Sequence, residues 1–267
     1  MTSDPDRTSD DDLRRIVRLL WRHTIVDDDH GPGARGRRGP RPRVSVDEVV
    51  AAAIAIADRD GLSKVSIRGV ADDLGLGPMS LYTYVPSKDA LTALMVDEVA
   101  AEDDPIDMSA PLRDRMAAIA HQFRDEAVRH PWLLDVAMWR PSIGPHLSAR
   151  YERHLAAVDG VGLDDLDMDS VVAVLQAFAT GNARVRIEAE RTRAASGTTD
   201  LEWWEAVAPI LGEVMPADAF PLGNRVGSAV GERFQAPGDA DVAFEFGLER
   251  LLDGIERQMG HGTDARR

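Results

Sequence analysis

An all-α fold is predicted by three features of this 267-residue chain. No stretch alternates apolar and polar residues with a period of two, and no hairpin turn signal occurs, so strands are not expected. Apolar residues recur instead at three- and four-residue spacing, with Ser, Asp, Gly and Pro standing at the ends of those stretches as starts and stops. Short helices come first and longer ones follow after about residue 104, so two helical domains stand behind an N-terminal extension.

Residues 11–25 place Leu13, Ile16, Val17 and Leu20 at helical spacing behind Asp10 or Asp11 as N-cap, with Trp21 as an anchor onto the rest of the protein. The stretch Gly31–Arg43 holds 4 Gly and 3 Pro and is expected to be a flexible arm. Its formal GxGxxG is spurious, because no strand precedes it and no helix opens on it. Ser45 and Glu48 form a capping box for a helix carrying Val46, Val49, Val50, Ala53 and Ala57 on one face, stopped by Gly61. Ser66 caps a second short helix, 67–74, ended by Gly75. Gly77-Pro78 opens a third, 79–85, which Pro86 closes, and Ser87 caps a fourth with Leu91, Leu94 and Met95. Longer helices are expected at roughly 109–129, 131–139, 145–158, 168–195, 201–214 and 240–259. The domains so predicted are an extension (1–43), a helix-turn-helix domain (44–95), a C-terminal helical domain (96–260) and a disordered tail (261–267).

Composition narrows the chemistry. With no cysteine, disulfides, thiol nucleophiles and Cys-based metal sites are excluded. No apolar run approaches the 18 or so residues of a membrane span and the first residues are acidic, so a cytoplasmic protein without membrane association is expected. No HExxH, GxSxG or P-loop occurs, nor a His/Asp/Glu set with metal-ligand spacing, so neither an enzyme, a metal nor a cofactor is expected. The net charge of −15 is uneven: residues 1–30 sum to −3, 31–95 to +2 and 96–267 to −14. Screening confines charge effects to about 8–10 Å, so a local basic footprint binds phosphate even on an acidic protein.

The two short helices around Gly75-Leu76-Gly77 have the proportions of a helix-turn-helix, locked by Val70, Leu74, Leu76 and Leu81. In that motif the second helix presents its N-terminal residues to the major groove. Here those are Pro78, Met79, Ser80, Tyr82, Thr83 and Tyr84, a set poorly suited to a core but able to reach phosphates, base edges and thymine methyls. Residues 44–99, and above all Leu81-Tyr82-Thr83-Tyr84-Val85-Pro86-Ser87-Lys88-Asp89-Ala90-Leu91, resemble the DNA-binding domain of TetR-family transcriptional repressors. The resemblance implies a homodimer on a palindromic double-stranded DNA operator. It implies that Arg68 reaches bases or phosphates, that Pro78, Met79 and Ser80 face bases, and that Tyr82, Tyr84 and Lys88 bind phosphate. Independently of it, charge and position make Arg35, Arg37, Arg38, Arg41 and Arg43 of the arm candidates for the minor groove or the DNA backbone.

In the C-terminal region, Val171, Val172, Leu175 and Phe178, followed by small Ala179, Gly181 and Ala183, suggest a dimer seam on a helix about 40 Å long. Phe244, Gly247, Leu248, Leu251 and Ile255 offer a second, and two such helices per subunit build a four-helix bundle. Residues 130–141, 178–190 and 244–258 resemble, more weakly, the tetracycline-repressor-type C-terminal domain. That resemblance implies a pocket for a small-molecule inducer, dimerisation through these two helices, and release from DNA when the ligand shifts the fourth helix of the DNA-binding domain. The histidine and glutamate that reach magnesium–tetracycline in that family are matched here by Val136 and Val185, so that ligand is not expected. Candidate pocket residues, mostly apolar with a few orienting polar groups, are Phe123, Trp132, Met138, Trp139, Arg140, His154, Gln176 and Trp203. A ligand-free architectural DNA-binding protein is the alternative, weakened by the acidity of residues 96–267.

Overall fold

A computed structural model describes residues 10–24, 44–137, 139–140, 143–215 and 218–262. Among them every regular element is helical: α1 (Asp10–Leu20), α2 (Val46–Asp60), α3 (Ile67–Asp73), α4 (Pro78–Tyr84), α5 (Lys88–Val99), α6 (Leu112–Arg129), α7 (Pro145–Val158), α8 (Asp165–Ser196), α9 (Asp200–Val214), α10 (Pro221–Phe234) and α11 (Ala240–Gly262). Single 3-10 turns lie at Leu62–Lys64, Ala100–Glu102 and Pro131–Asp135. No described helix is long and apolar enough to cross a membrane.

The chain divides into two compact units, one of residues 1–105 and 129–156, the other of 106–128 and 157–267. This departs from the boundary expected after residue 95. Met95, Val96 and Val99 of α5 belong to the same apolar core as α2, α3 and α4, and Trp132, Leu133, Val136 and Leu147 pack into it from the returning segment. The unit therefore closes where its core closes, not where the helices lengthen.

Local capping builds the first unit as expected. Ser45 Oγ accepts from the Glu48 amide at 3.1 Å while Glu48 Oε2 accepts from the Ser45 amide at 2.6 Å. Gly61 ends α2 at φ 87°, a backbone state that a side chain would strain. Ser66 and Ser87 accept from the Gly69 and Ala90 amides and so start α3 and α5. Two expectations are corrected. Leu13 and Val17 of α1 face solvent, and the helix docks instead through Leu20 with Ile16, Leu19 and Trp21. Where a helix over 131–139 was expected, Pro131–Asp135 forms one 3-10 turn, with Leu133 N–H to His130 O and Val136 N–H to Leu133 O. Spacing of three aligns Leu133 with Val136, and both pack on the core.

In the second unit α8 and α11 are the main packed pair. Val171, Val172, Leu175, Ala179, Ala183 and Ile187 are buried on α8, as are Phe244, Leu248 and Leu252 on α11. Gly247 permits the crossing, because a Cβ there would lie 2.6 Å from the Phe178 ring, which stacks on Phe244. Most of the apolar stripe expected to be a dimer seam is thus consumed inside the subunit. Arg124 of α6 is buried between these helices: its Nε donates to Asn182 Oδ1 at 2.9 Å, it pairs with Asp241, and it lies over the Phe244 ring. The helix α10 was not expected. Gly223, Gly227 and Gly231 each cost about 1 kcal/mol against Ala within a helix, so local preference argued against it.

Leu81 is fully buried at the centre of the first unit. Leu81→Ala is expected to lower the urea-unfolding free energy by about 2–5 kcal/mol. Met79→Ala, at a side chain 80% exposed, should change it by no more than about 0.5 kcal/mol.

Candidate functional site

The reading surface is assembled by a turn. Gly75 takes φ 66°, the Gly75 amide donates to Asp72 O at 3.2 Å and the Leu76 amide to Ala71 O at 2.8 Å, which ends α3 and reverses the chain. Gly77 then serves as N-cap and Pro78 as the first residue of α4. Val70, Ala71 and Leu81 are buried, with Leu74 and Leu76 packed on them, so α3 and α4 lock along one line.

That lock turns the other side of α4 to solvent. Met79, Ser80, Tyr82 and Thr83 are exposed and Pro78 is half-buried. Arg68 is exposed in the first turn of α3. Three residues have a second duty. Tyr84 is half-buried against the core and buttresses the helix. The Thr83 hydroxyl donates to Ser80 O at 2.6 Å, so in this rotamer its proton is committed to the helix and it offers phosphate no donor. Lys88 donates to Leu62 O at 3.3 Å, tying the start of α5 to the turn before α3, with its side chain still exposed. Arg35, Arg37, Arg38, Arg41 and Arg43 lie outside the described residues.

The ligand candidates separate. Trp132, Trp139, Arg140 and His154 fall in the first unit, Phe123, Gln176 and Trp203 in the second, and Met138 lies outside the described residues. Trp132 is fully buried and donates from Nε1 to Asp58 Oδ1 of α2 at 2.8 Å. Trp139 is 92% exposed, Arg140 is exposed, and Trp203 stands beside Trp204 with both half-exposed. Phe123 is buried and Gln176 half-buried. His154 is 1% exposed. Burial first, then the charges of Arg150 and Arg153, hold its imidazole down at about 4, so it is neutral at physiological pH. At the positions matching the magnesium ligands, Val136 is half-buried and Val185 exposed; neither supplies a lone pair.

Polar links invisible to local pattern hold the first unit together. The buried His130 lies between two carboxylates, its Nδ1 2.8 Å from Asp58 Oδ1 and its Nε2 3.2 Å from Glu102 Oε2. Burial pushes the Glu102 carboxyl up, but hydrogen bonds from His130 and Arg129 outweigh it and leave the group below its usual range. Asp97, buried on α5, accepts from the first two N–H groups of α7. An aspartate directly after the apolar run 93–96, on the same buried helix, was the one sequence signal that it had a specific partner.

Comparison with known proteins places this architecture. The family model for the tetracyclin repressor-like C-terminal domain matches residues 105–259. The HTH-type transcriptional repressor DrrR1 of Streptomyces coeruleorubidus is 36% identical over 247 residues, covering 92% of this chain and 86% of that one. An HTH-type transcriptional regulator of Saccharopolyspora erythraea is 31% identical over 225 residues, 82% of this chain and 88% of that one. Among solved structures, apo ActR from Streptomyces coelicolor superposes with a TM-score of 0.65 at 26% identity, over 84% of this chain and 99% of that one. ActR in complex with actinorhodin gives a TM-score of 0.65 at 25% identity, over 83% and 100%.

The His154 environment has a pH consequence. The unfolded chain takes up a proton near pH 6.5 and the folded one refuses it until about 4, so this contribution is complete above 6.5 and is lost as pH falls through that window. The full difference is about 3 kcal/mol. Urea midpoints of the wild type should fall across this range, and His154→Gln should remove that part of the slope.

Proposed function

Because the chain belongs to the TetR family of transcriptional regulators, we propose that it is a ligand-responsive repressor that binds a palindromic operator as a homodimer and is released by a small-molecule inducer. The observation that carries this reading is the outer face of α4. A seven-residue helix is held by the buried Leu81 while Met79, Ser80 and Tyr82 project into solvent, and Arg68 is exposed on α3, the helix packed on it. That is the arrangement a major-groove reader needs. The five arginines of 35–43, which precede α2 in the sequence, add a candidate phosphate or minor-groove contact.

Homodimerisation is supported by what α8 and α11 leave uncovered. On α8, Ala173, Val174, Ala177, Gly181 and Val185 are exposed opposite the stripe that packs on α11. On α11, Val242 and Phe246 are exposed, with the Arg250 guanidinium 3.9 Å from the Phe246 ring centroid. Small residues allow close helix approach, and the second copy of this pair completes a four-helix bundle.

For the inducer we favour a compound of the actinorhodin kind. The structural relative ActR is seen with actinorhodin, and the substitution of Val136 and Val185 for metal ligands argues against magnesium–tetracycline. Phe123 and Gln176, both of the second unit, remain residues suited to receive it.

Titration against DNA from immediately upstream of its own gene, beside a scrambled duplex, tests the first half. The wild type should prefer the upstream duplex by about a thousandfold or more. Arg68→Ala and Tyr82→Ala should each weaken it by about 1–3 kcal/mol. Equal binding to scrambled DNA would overturn sequence-specific repression. For the second half, actinorhodin should displace the bound duplex, whereas magnesium–tetracycline should not. Displacement by magnesium–tetracycline alone would reverse the ligand assignment.

A further inference from the structure

Of the 31 basic side chains in this chain, 29 are arginine and only two, Lys64 and Lys88, are lysine. Both lie in the first unit, on the elements that frame the helix-turn-helix. Lys64 ends the 3-10 turn Leu62–Lys64 just before α3, and Lys88 is the first residue of α5, four residues after α4 ends. The fold brings them together: Lys88 Nζ donates to Leu62 O at 3.3 Å, two residues from Lys64. Both side chains are exposed, as is Arg68 four residues after Lys64. No acidic residue occurs from Gly61 to Ala71 or from Leu74 to Lys88. Helix energetics do not call for a cation at position 88, because the dipole favours anions at a helix N-terminus. The charge there suits an anion outside the helix.

Arginine and lysine both pair with phosphate, but only the lysine amine is a ready acyl acceptor. We propose that Lys64 and Lys88 are acylation sites through which an acyl thioester lowers the hold of this protein on DNA. The deprotonated amine attacks the thioester carbonyl. The C–N bond forms as the C–S bond breaks, and the thiolate leaves and takes up the proton that the nitrogen gives up. The product amide is uncharged, so each modified position loses its attraction for a phosphate. It keeps one N–H, which still donates to Leu62 O from position 88, so the start of α5 stays tied to the turn before α3. Charge is removed and the fold is retained. The arginines, those of 35–43 included, are left untouched, so the modification falls on the helix-turn-helix alone. The proposal rests on the reading of a DNA-binding regulator.

The test treats the full chain with acetyl-CoA, maps the acetylated peptides, and measures binding to a selected operator duplex over a range of salt. Acetyl groups should appear at Lys64 and Lys88, and prior addition of the operator should slow both reactions. Each acetyl group should lower the magnitude of the salt slope by about 1 and weaken binding about tenfold at fixed salt. The double variant Lys64→Arg/Lys88→Arg keeps two cations that accept no acyl group. Compared with its own untreated sample, it should change neither slope nor affinity on treatment. Thermal melting of the acetylated wild type should match the untreated protein, which separates lost charge from lost fold. Lysines that take no acetyl group, acetylation indifferent to bound operator, unchanged slope and affinity, an equal loss in the double variant, or unfolding on acetylation would each overturn the switch. An untreated wild type that does not prefer the operator over a scrambled duplex would instead remove the repressor reading, and the switch with it.

Discussion

A seven-residue helix closes too few hydrogen bonds to persist alone in water, so α4 exists only because something holds it. What holds it is the burial of Leu81 among Val70, Ala71, Leu74 and Leu76, backed by α2 and α5. The rest of the first unit answers to that need. Val49, Val50, Ala53 and Ala57 supply the floor, and Leu91, Leu94 and Met95 supply the wall. Once Leu81 points inward, helical geometry turns Met79, Ser80 and Tyr82 outward. Exposure of the reading residues is a consequence of packing, not a separate design.

Charged groups then determine how this core is joined to the segments that return to it. Asp58 accepts from Trp132 and faces His130, which also faces Glu102, so α2 is tied to the turn after α5 and to the segment after α6. Buried polar atoms tolerate few alternative arrangements, because an unpaired one costs more than a shifted apolar contact. In the second unit Arg124 does the same for α6, α8 and α11 through Asn182 and Asp241. Its cationic face rests on Phe244, so a charge sits in an apolar setting without losing its partners.

Much of the fold was legible because helix boundaries are local events. Ser45 with Glu48, Ser66, Ser87, Gly61, Gly75 and Pro78 all act over three or four residues, and each ends or begins a helix where the rules place it. The exposed residues of α4 were legible for the same reason, since the turn sets their register. What misled the local reading was competition from outside the window. Residues 131–136 follow the shape of the core they pack against and so take a 3-10 turn. The glycines of α10 speak against a helix that nonetheless forms. The arginine stretch 35–43 was legible only as charge.

Composition and spacing alone determined that this chain is helical, that its first helices include a helix-turn-helix, and which side chains of α4 face away from the core. They did so because capping, turn chemistry and amphipathic period are properties of neighbouring residues. Tertiary structure alone decided the uses of the remaining polar and apolar groups. It buried Trp132 against Asp58, spent the Val171–Ile187 stripe of α8 inside the subunit, and set Asp97 against the start of α7. Those outcomes depend on which surfaces meet across tens of residues, and no periodicity encodes that.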